Sequence, residues 1–417
     1  MKILLVHQYF LEDNDSGGSR WNEITRTWTE KGHHITVLAG MMHANGKEKR
    51  PEYKGKHFVK KQQGEVIVWR CHVSESYNKG FTGRLWGYFS FMFSSLWAGL
   101  FKAKGEFNVV IVTSPPLFVG FSGYLISLFR RLPFVFEIRD LWPESAIDTG
   151  VLTNKFIIKL AYWFEGFIYK KAKLINVLTP AFYNTLRDKK KVPVEKLIMI
   201  PNASDFSLSE SLLQTFDREQ FRKEQGLNDK FVITYVGAHG VANHLEQILH
   251  AGKALEDTNV QFLMIGQGME KDRLKQMATT MNVNNVTFCD PVPKAEVFKY
   301  ILASEMGASV LKKVDTFKTV YSNKTFDYMS CKTPILMAID GVSRELVEEA
   351  KAGVYVEPEN TSEYNRIIRQ YLTNPARLRT EGENGYNYAK MNFDRTILAS
   401  KYLVYINSII SDNVSNS

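Results

Sequence analysis

Lys324 and Asp327 open a helix-like segment that follows a strand-like one, a placement that suits an anion. Ala308-Ser-Val-Leu311 reads as a buried strand, and a long polar loop leads to Ser322-Asn323-Lys324. Asp327 lies one turn in, and Thr333-Pro334 stops the helix before the apolar run Ile335–Ala338. Backbone N–H groups at a helix start, with the helix dipole, favour negative charge. Lys324 adds a cation there, and Asp327 offers an acceptor for ribose hydroxyls. Such a cradle suits the diphosphate and sugar of an activated donor. Alone, the pair reads better as an ordinary surface ion pair at i,i+3.

Its company favours chemistry. Four loops after strand-like runs carry glycine or a cation: Gly17-Gly18 with Arg20, Gly237-Ala238-His239-Gly240, Gly266-Gln267-Gly268, and Asn323-Lys324. Glycine lets backbone N–H groups approach a diphosphate. In open α/β sheets, ligands bind outside the carboxyl ends of strands, where these loops fall. After Phe134–Phe136 comes Glu137-Ile-Arg-Asp-Leu-Trp-Pro-Glu144. Arg139 can bind phosphate or carboxylate in two-pronged fashion. Asp140 and Glu144 could bind sugar hydroxyls or act as a base, and Trp142 offers a flat face or a packing body. Other chemistries lack their signatures. Lys271 stands where a dinucleotide fingerprint needs its third glycine, and no P-loop, Gly-x-Ser-x-Gly or His-Glu-x-x-His occurs.

The elements that must position these residues alternate along the chain. Strands are expected at 3–6, 35–38, 66–70, 109–113, 134–138 and 174–178, then at 232–236, 260–265, 286–288, 308–311 and 335–338. Many are continuous apolar runs, as strands buried on both faces require, which predicts two parallel α/β sheets. Trp21, Ile24 and Trp28 predict a first helix closed by Gly32. The expected domains are 1–202 and 203–395. The segment 203–230 reads as a linker with a short helix, and a C-terminal helix, 396–412, should pack back on the first domain.

A length of 417 residues fits two domains, and 44% hydrophobic residues suffice for two cores. Cys71, Cys289 and Cys331 have no paired spacing, which points to a reducing compartment and to neither disulfides nor zinc. The opening MKILLVHQYF lacks a signal-peptide layout, so a cytoplasmic location is expected. The net charge of +9 is uneven: residues 1–200 hold 29 Lys+Arg against 17 Asp+Glu, and residues 201–417 hold 24 against 27. A basic first half suggests an anionic neighbour. Trp86–Phe101 is too short to span a membrane and reads as a core helix or an interfacial one. Phe156–Lys173 sets Phe156, Ile157, Leu160, Trp163, Phe164 and Phe167 against lysines, the pattern of a helix lying in a membrane interface. No nucleic-acid recognition motif accompanies the basic excess.

Several phrases carry a family resemblance: HQYFLED…SGGSRWNEI, TEKGHHITVLAG, PNASDF, FLMIGQGMEKDRL and DYMSCKTPIL. Over nearly its whole length the chain resembles glycosyltransferase family 4, retaining nucleotide-sugar enzymes of GT-B fold. RDLWPESAIDTGVL and LKKVDTFKTVYSNKTFDYM resemble the subgroup that builds bacterial surface polysaccharides, including transferases of N-acetylfucosamine. The resemblance implies that Gly17 and Gly18 approach the donor diphosphate from the first domain. It implies that Gly237–Gly240 and Asn323-Lys324 hold the diphosphate from the second, that Gly266 and Gly268 shape the nucleoside pocket, and that Val292 faces the base. Asp327 replaces the glutamate usual at ribose, Thr319 stands where a further glutamate is common, and Ala238, His239 and Asn243 replace the usual basic residues. The implied reaction is metal-independent transfer from a UDP-sugar to a polyprenyl-diphosphate-linked glycan, at the inner face of an anionic plasma membrane. A nucleotide-sugar-binding scaffold and a GT-B epimerase are the alternatives.

Overall fold

The computed structural model describes residues 1–417 except 13–14, 16–19, 43–48, 79, 149, 151 and 416–417. It forms two compact units. One holds residues 1–12, 20–201 and 396–415, the other residues 202–395.

The N-terminal unit is an eight-stranded sheet in the order β3-β4-β2-β1-β5-β6-β7-β8. Its strands are β1 (Lys2–Val6), β2 (His34–Gly40), β3 (Phe58–Gln63), β4 (Val66–Cys71), β5 (Val109–Ser114), β6 (Phe134–Ile138), β7 (Leu174–Val177) and β8 (Leu197–Met199). The central strands β5, β6 and β7 are buried along their whole length, as their apolar runs require. β1 pairs in parallel with β2 and β5, Ile3 facing Ile35 and Val109. β3 alone is antiparallel, on the edge beside β4. The first helix, Arg20–Glu30, buries Trp21, Ile24 and Trp28 on this unit. The C-terminal helix, Arg395–Ser415, brings Tyr402 against both tryptophan rings, and Trp28 Nε1 donates to Ala399 O at 2.8 Å.

The C-terminal unit is a fully parallel six-stranded sheet in the order β11-β10-β9-β12-β13-β14. Its strands are β9 (Phe231–Val236), β10 (Val260–Ile265), β11 (Val286–Cys289), β12 (Met306–Val310), β13 (Ile335–Ala338) and β14 (Gly353–Tyr355). Ile233, Phe262, Met264, Ala308 and Leu336 anchor its main core. The segment read as a linker holds two helices, Phe206–Thr215 and Arg218–Glu224. Arg222 of the second is buried, ion-paired with Glu305 and bonded to the carbonyls of Leu227 and Lys230.

Three strands escaped the sequence reading. β3, FVKKQQ, is an edge strand whose outward positions are polar, and β8 and β14 are three residues long. The Trp86–Phe101 stretch has a mixed environment. It runs through helix Gly80–Trp97 and a following π turn, with Phe91 and Ala98 buried but Trp86, Phe93, Trp97 and Phe101 each more than half exposed. Among the described residues no helix is long and apolar enough to cross a membrane.

Candidate functional site

Both sheets reverse their strand order once, between β1 and β5 and between β9 and β12. The crevice at the carboxyl end of such a switch point is where open α/β sheets hold ligands. The candidate residues gather there in each unit.

In the C-terminal unit, β9 and β10 run side by side and end together, Val236 facing Ile265. Their loops interlock. Gly237 N donates to Ile265 O, His239 N donates to Gln267 O, and Glu270 N donates to His239 O, at 2.9–3.0 Å. Gly266 has φ +152°, and a Cβ there would stand 1.9 Å from Gly237 O; one on Gly268 would stand 2.3 Å from His239 O. Glycine is required at both positions because backbone passes where a side chain would be. Lys271, at the would-be third glycine, is buried and donates to the carbonyls of Gly266 and Cys289 and to Asp290. It fastens the ends of β10 and β11.

His239 is fully buried, and neither ring nitrogen has a hydrogen-bond partner. Burial, with Lys271 and Lys275 near, lowers its pKa to about 4, so the ring is neutral. An orphaned imidazole is costly unless a ligand meets it. Nε2 lies 3.3 Å from where a Gly266 Cβ would be, on the loop that lines the switch point.

The eight-residue helix Asn323–Ser330 faces these loops, and its cap residue Ser322 makes no side-chain capping bond. Tyr328 seats the helix, its hydroxyl donating to the carbonyls of Thr234 and Ala308 beneath. Gly307 makes room, since a Cβ there would fall 2.3 Å from the Tyr328 ring. Lys324 Nζ lies 4.9 Å from the Tyr235 ring centre and 3.3 Å from Ser322 Oγ. Its Cε is 3.3 Å from the Cβ position of Gly237, which places the cation beside the first glycine loop. Burial lowers the Lys324 pKa to about 8, opposed by Asp327. Asp327 lies on the same helix, 3.7 Å from Lys294 Nζ. Asn323 is exposed at the helix start, and Gly240 leads into the turn Val241–Asn243. Val292 packs on the small cluster of Leu227, Val232, Leu263 and Ile265. Thr319 donates to Thr316 O within a local turn.

In the N-terminal unit, His7, Thr113 and Arg139 stand at the ends of β1, β5 and β6, with His7 Nδ1 and Thr113 Oγ1 2.6 Å apart. Burial, then the charges of Arg139, Arg20 and Arg70, hold the His7 pKa well below the ordinary value. Asp140 accepts from Ser145 Oγ at 2.7 Å. Burial, reinforced by Glu144, raises its pKa to about 6. Glu144 itself is ion-paired with Lys190 at 2.7 Å, and Lys190 also grips Glu165. Two carboxylates alike in sequence thus differ in setting. Trp142 packs edge-on against Phe118.

Arg20 is buried and committed within the N-terminal unit. It pairs with Glu137 through Nε and Nη2 and donates to the carbonyls of Ile200 and Pro201. Trp21 Nε1 and Asn176 Nδ2 complete the shell around Glu137, which is fully buried. Its guanidinium therefore serves the sheet's own buried carboxylate. Gly17 and Gly18 lie outside the described residues. The roles of Tyr235, Tyr328 and Gly307 escaped the sequence reading. A glycine inside an apolar strand was the available signal for Gly307. Among the described residues no group of His, Cys, Asp and Glu has metal-binding geometry.

Two family models match: "Glycosyl transferase 4-like domain" over 17–203 and "Glycosyl transferases group 1" over 217–388. An Escherichia coli protein proposed as a glycosyl transferase of colanic acid biosynthesis is 22% identical over 382 residues, spanning 90% of this chain and 93% of that one. The alpha-D-kanosaminyltransferase of Streptomyces kanamyceticus is 21% identical, spanning 64% and 68%. Among solved structures, sucrose-phosphate synthase from Thermosynechococcus elongatus superposes with a TM-score of 0.76 at 15% identity, over 99% of both chains. Anabaena HepE in complex with UDP superposes with a TM-score of 0.70 at 17% identity, over 98% and 100%. These likenesses establish the two-domain GT-B architecture.

Proposed function

The chain belongs to the glycosyltransferases of GT-B fold, and from that premise we propose that it moves a sugar from a nucleotide-diphosphate sugar to a polyprenyl-diphosphate-linked glycan in bacterial surface polysaccharide synthesis. The donor in this reading is a UDP-sugar such as an N-acetylated aminosugar, and anomeric configuration is retained. The observation that carries it is the C-terminal unit's switch point. There two interlocked glycine loops, the orphaned His239 ring, Lys324 and a helix start converge.

The chemical burden is charge that builds on the leaving diphosphate as the bond to the sugar breaks. Fixed donors aimed at such charge lower the barrier without a metal. Lys324 and the N–H groups of Asn323, Ala238 and Gly240 are the groups assigned to it, with Asp327 at the ribose and Gly266, Gly268 and Val292 around the nucleoside. Metal-chelating buffer should therefore leave turnover unchanged. On the acceptor side, Asp140 is the better base. A carboxyl with a pKa near 6 can accept a proton at neutral pH and return it, whereas Glu144 is held by Lys190. Arg139 is assigned to the acceptor's negative charge. Attack from the face the nucleotide leaves, with no enzyme nucleophile, accounts for retention.

The basic, aromatic first half supports a reading in which the enzyme works at the inner face of an anionic membrane. The test is transfer of label from radioactive UDP-sugars into the lipid-soluble fraction of bacterial membranes. Transfer that Lys324→Ala abolishes supports the reading. No transfer from any sugar nucleotide, with nucleotide binding intact, would favour a binding scaffold.

A further inference from the structure

A cavity of about 560 Å³ opens in the N-terminal unit between helix Lys155–Lys171 and the segment 185–196. Five lining residues are lysines: Lys170, Lys189, Lys190, Lys191 and Lys196. Its two acids, Glu144 and Glu165, are both answered by Lys190, at 2.7 and 2.6 Å. Lys170, Lys189 and Lys191 make no ion pair among the described residues and leave the cavity with uncompensated positive charge. Burial, with Lys173 nearby, lowers the pKa of Lys196, which donates to Lys170 O. The hydroxyl-bearing rings of Tyr162 and Tyr169 complete the wall.

The same helix carries an apolar stripe next to this cavity. At about 100° per residue, Phe156, Leu160 and Trp163 fall on one line, and Tyr162, Gly166 and Lys170 fall on the neighbouring one that lines the cavity. Phe156 is 76% exposed, Leu160 51% and Trp163 65%. Lys155 and Lys159 fall on that neighbouring line, and on the stripe's far side Lys171 rests on the rings of Tyr124 and Phe167. An exposed aromatic stripe bordered by lysines on both sides matches the polar and apolar layers of an anionic lipid surface.

We propose that this cavity holds the phosphate of an anionic phospholipid while Phe156, Leu160 and Trp163 enter the bilayer interface beside it. The inference deepens the membrane part of the proposed function and rests on it. A free phosphate would satisfy the lysines but would leave the aromatic stripe in water. A lipid satisfies both.

The test is co-sedimentation of the full-length protein with phosphatidylcholine vesicles, with and without phosphatidylglycerol, for wild type and three variants. Wild type should bind only the vesicles with phosphatidylglycerol. K189Q/K191Q should weaken that binding about tenfold or more, since each lysine near such a surface contributes appreciably. Trp163→Ser should weaken it too, at unchanged charge. K230Q/K351Q, the same charge loss on the C-terminal unit, should leave it unchanged. Equal losses for the two lysine pairs would reduce the effect to net charge and overturn the cavity. Stabilisation by inorganic phosphate that matches the vesicles' would assign the cavity to a free ion and overturn the lipid. UDP-induced thermal stabilisation, read on the same samples, reports the donor site separately. Its absence would count against the transferase reading, and its presence beside unchanged vesicle binding in K189Q/K191Q would sink only this inference.

Discussion

At the scale of the residue, the proposed chemistry rests on Lys324 and Asp140, and both are tuned by burial. Lys324 has a pKa lowered to about 8, and a bound diphosphate favours its charged form. Nucleotide affinity should therefore fall as pH rises through about 8, while the free protein gains stability between about 8 and the ordinary lysine value of 10.5, because there the unfolded chain holds the extra proton. Titration calorimetry across that range checks the first point. Affinity independent of pH would remove Lys324 from the diphosphate. For Asp140 the folded pKa of about 6 lies above the unfolded value of 3.8, so its ionisation costs stability that appears as pH rises through that window. Asp140→Asn should leave the melting temperature at neutral pH unchanged or higher while turnover falls about a hundredfold or more, the scale of a lost general base. Turnover near wild type would exclude Asp140 as the base. The sequence presented Asp140 and Glu144 as equals. What separates them is Lys190, far along the chain, which only the fold brings to Glu144.

Elements decide whether those residues stand where chemistry needs them. Strands with continuous apolar runs were legible: β6, β10 and β13 have the very boundaries that the residue pattern predicts. β3, β8 and β14 were not, because a polar edge strand and three-residue strands carry too little periodicity to stand out. The loops were recognised as glycine loops, but their mutual threading was invisible. It depends on Gly266 meeting Gly237 O and Gly268 meeting His239 O across two strands. Gly266→Ala should destabilise the protein by about 2–4 kcal/mol, since it adds both a backbone clash and a strained φ. Chemical denaturation measures this, and a cost under about 0.5 kcal/mol, the size of an ordinary surface change, would mean that the loops can part freely. The same logic applies to Gly307, whose missing side chain lets Tyr328 seat the Lys324 helix. Gly307→Val should displace that helix and weaken nucleotide binding, although it touches no assigned ligand contact.

For the whole molecule, two sheets built on one plan divide the work. The N-terminal unit carries the basic charge, the exposed aromatics of helix Lys155–Lys171 and Asp140. The C-terminal unit carries the proposed anion cradle. The charge asymmetry of the sequence already hinted at that division, though it could not say that Lys190 is occupied with two glutamates while its neighbours Lys189 and Lys191 are not. The proposed function stands or falls on whether the C-terminal cradle binds a nucleoside diphosphate through Lys324. The direct measurement is calorimetric titration of UDP, GDP and dTDP into wild type and Lys324→Ala at neutral pH. Saturable binding at one site is expected, strongest for UDP and weakened about tenfold or more by the substitution, as loss of one charge-assisted contact requires. No heat of binding from any of the three at millimolar concentration, with a folded sample, would contradict it.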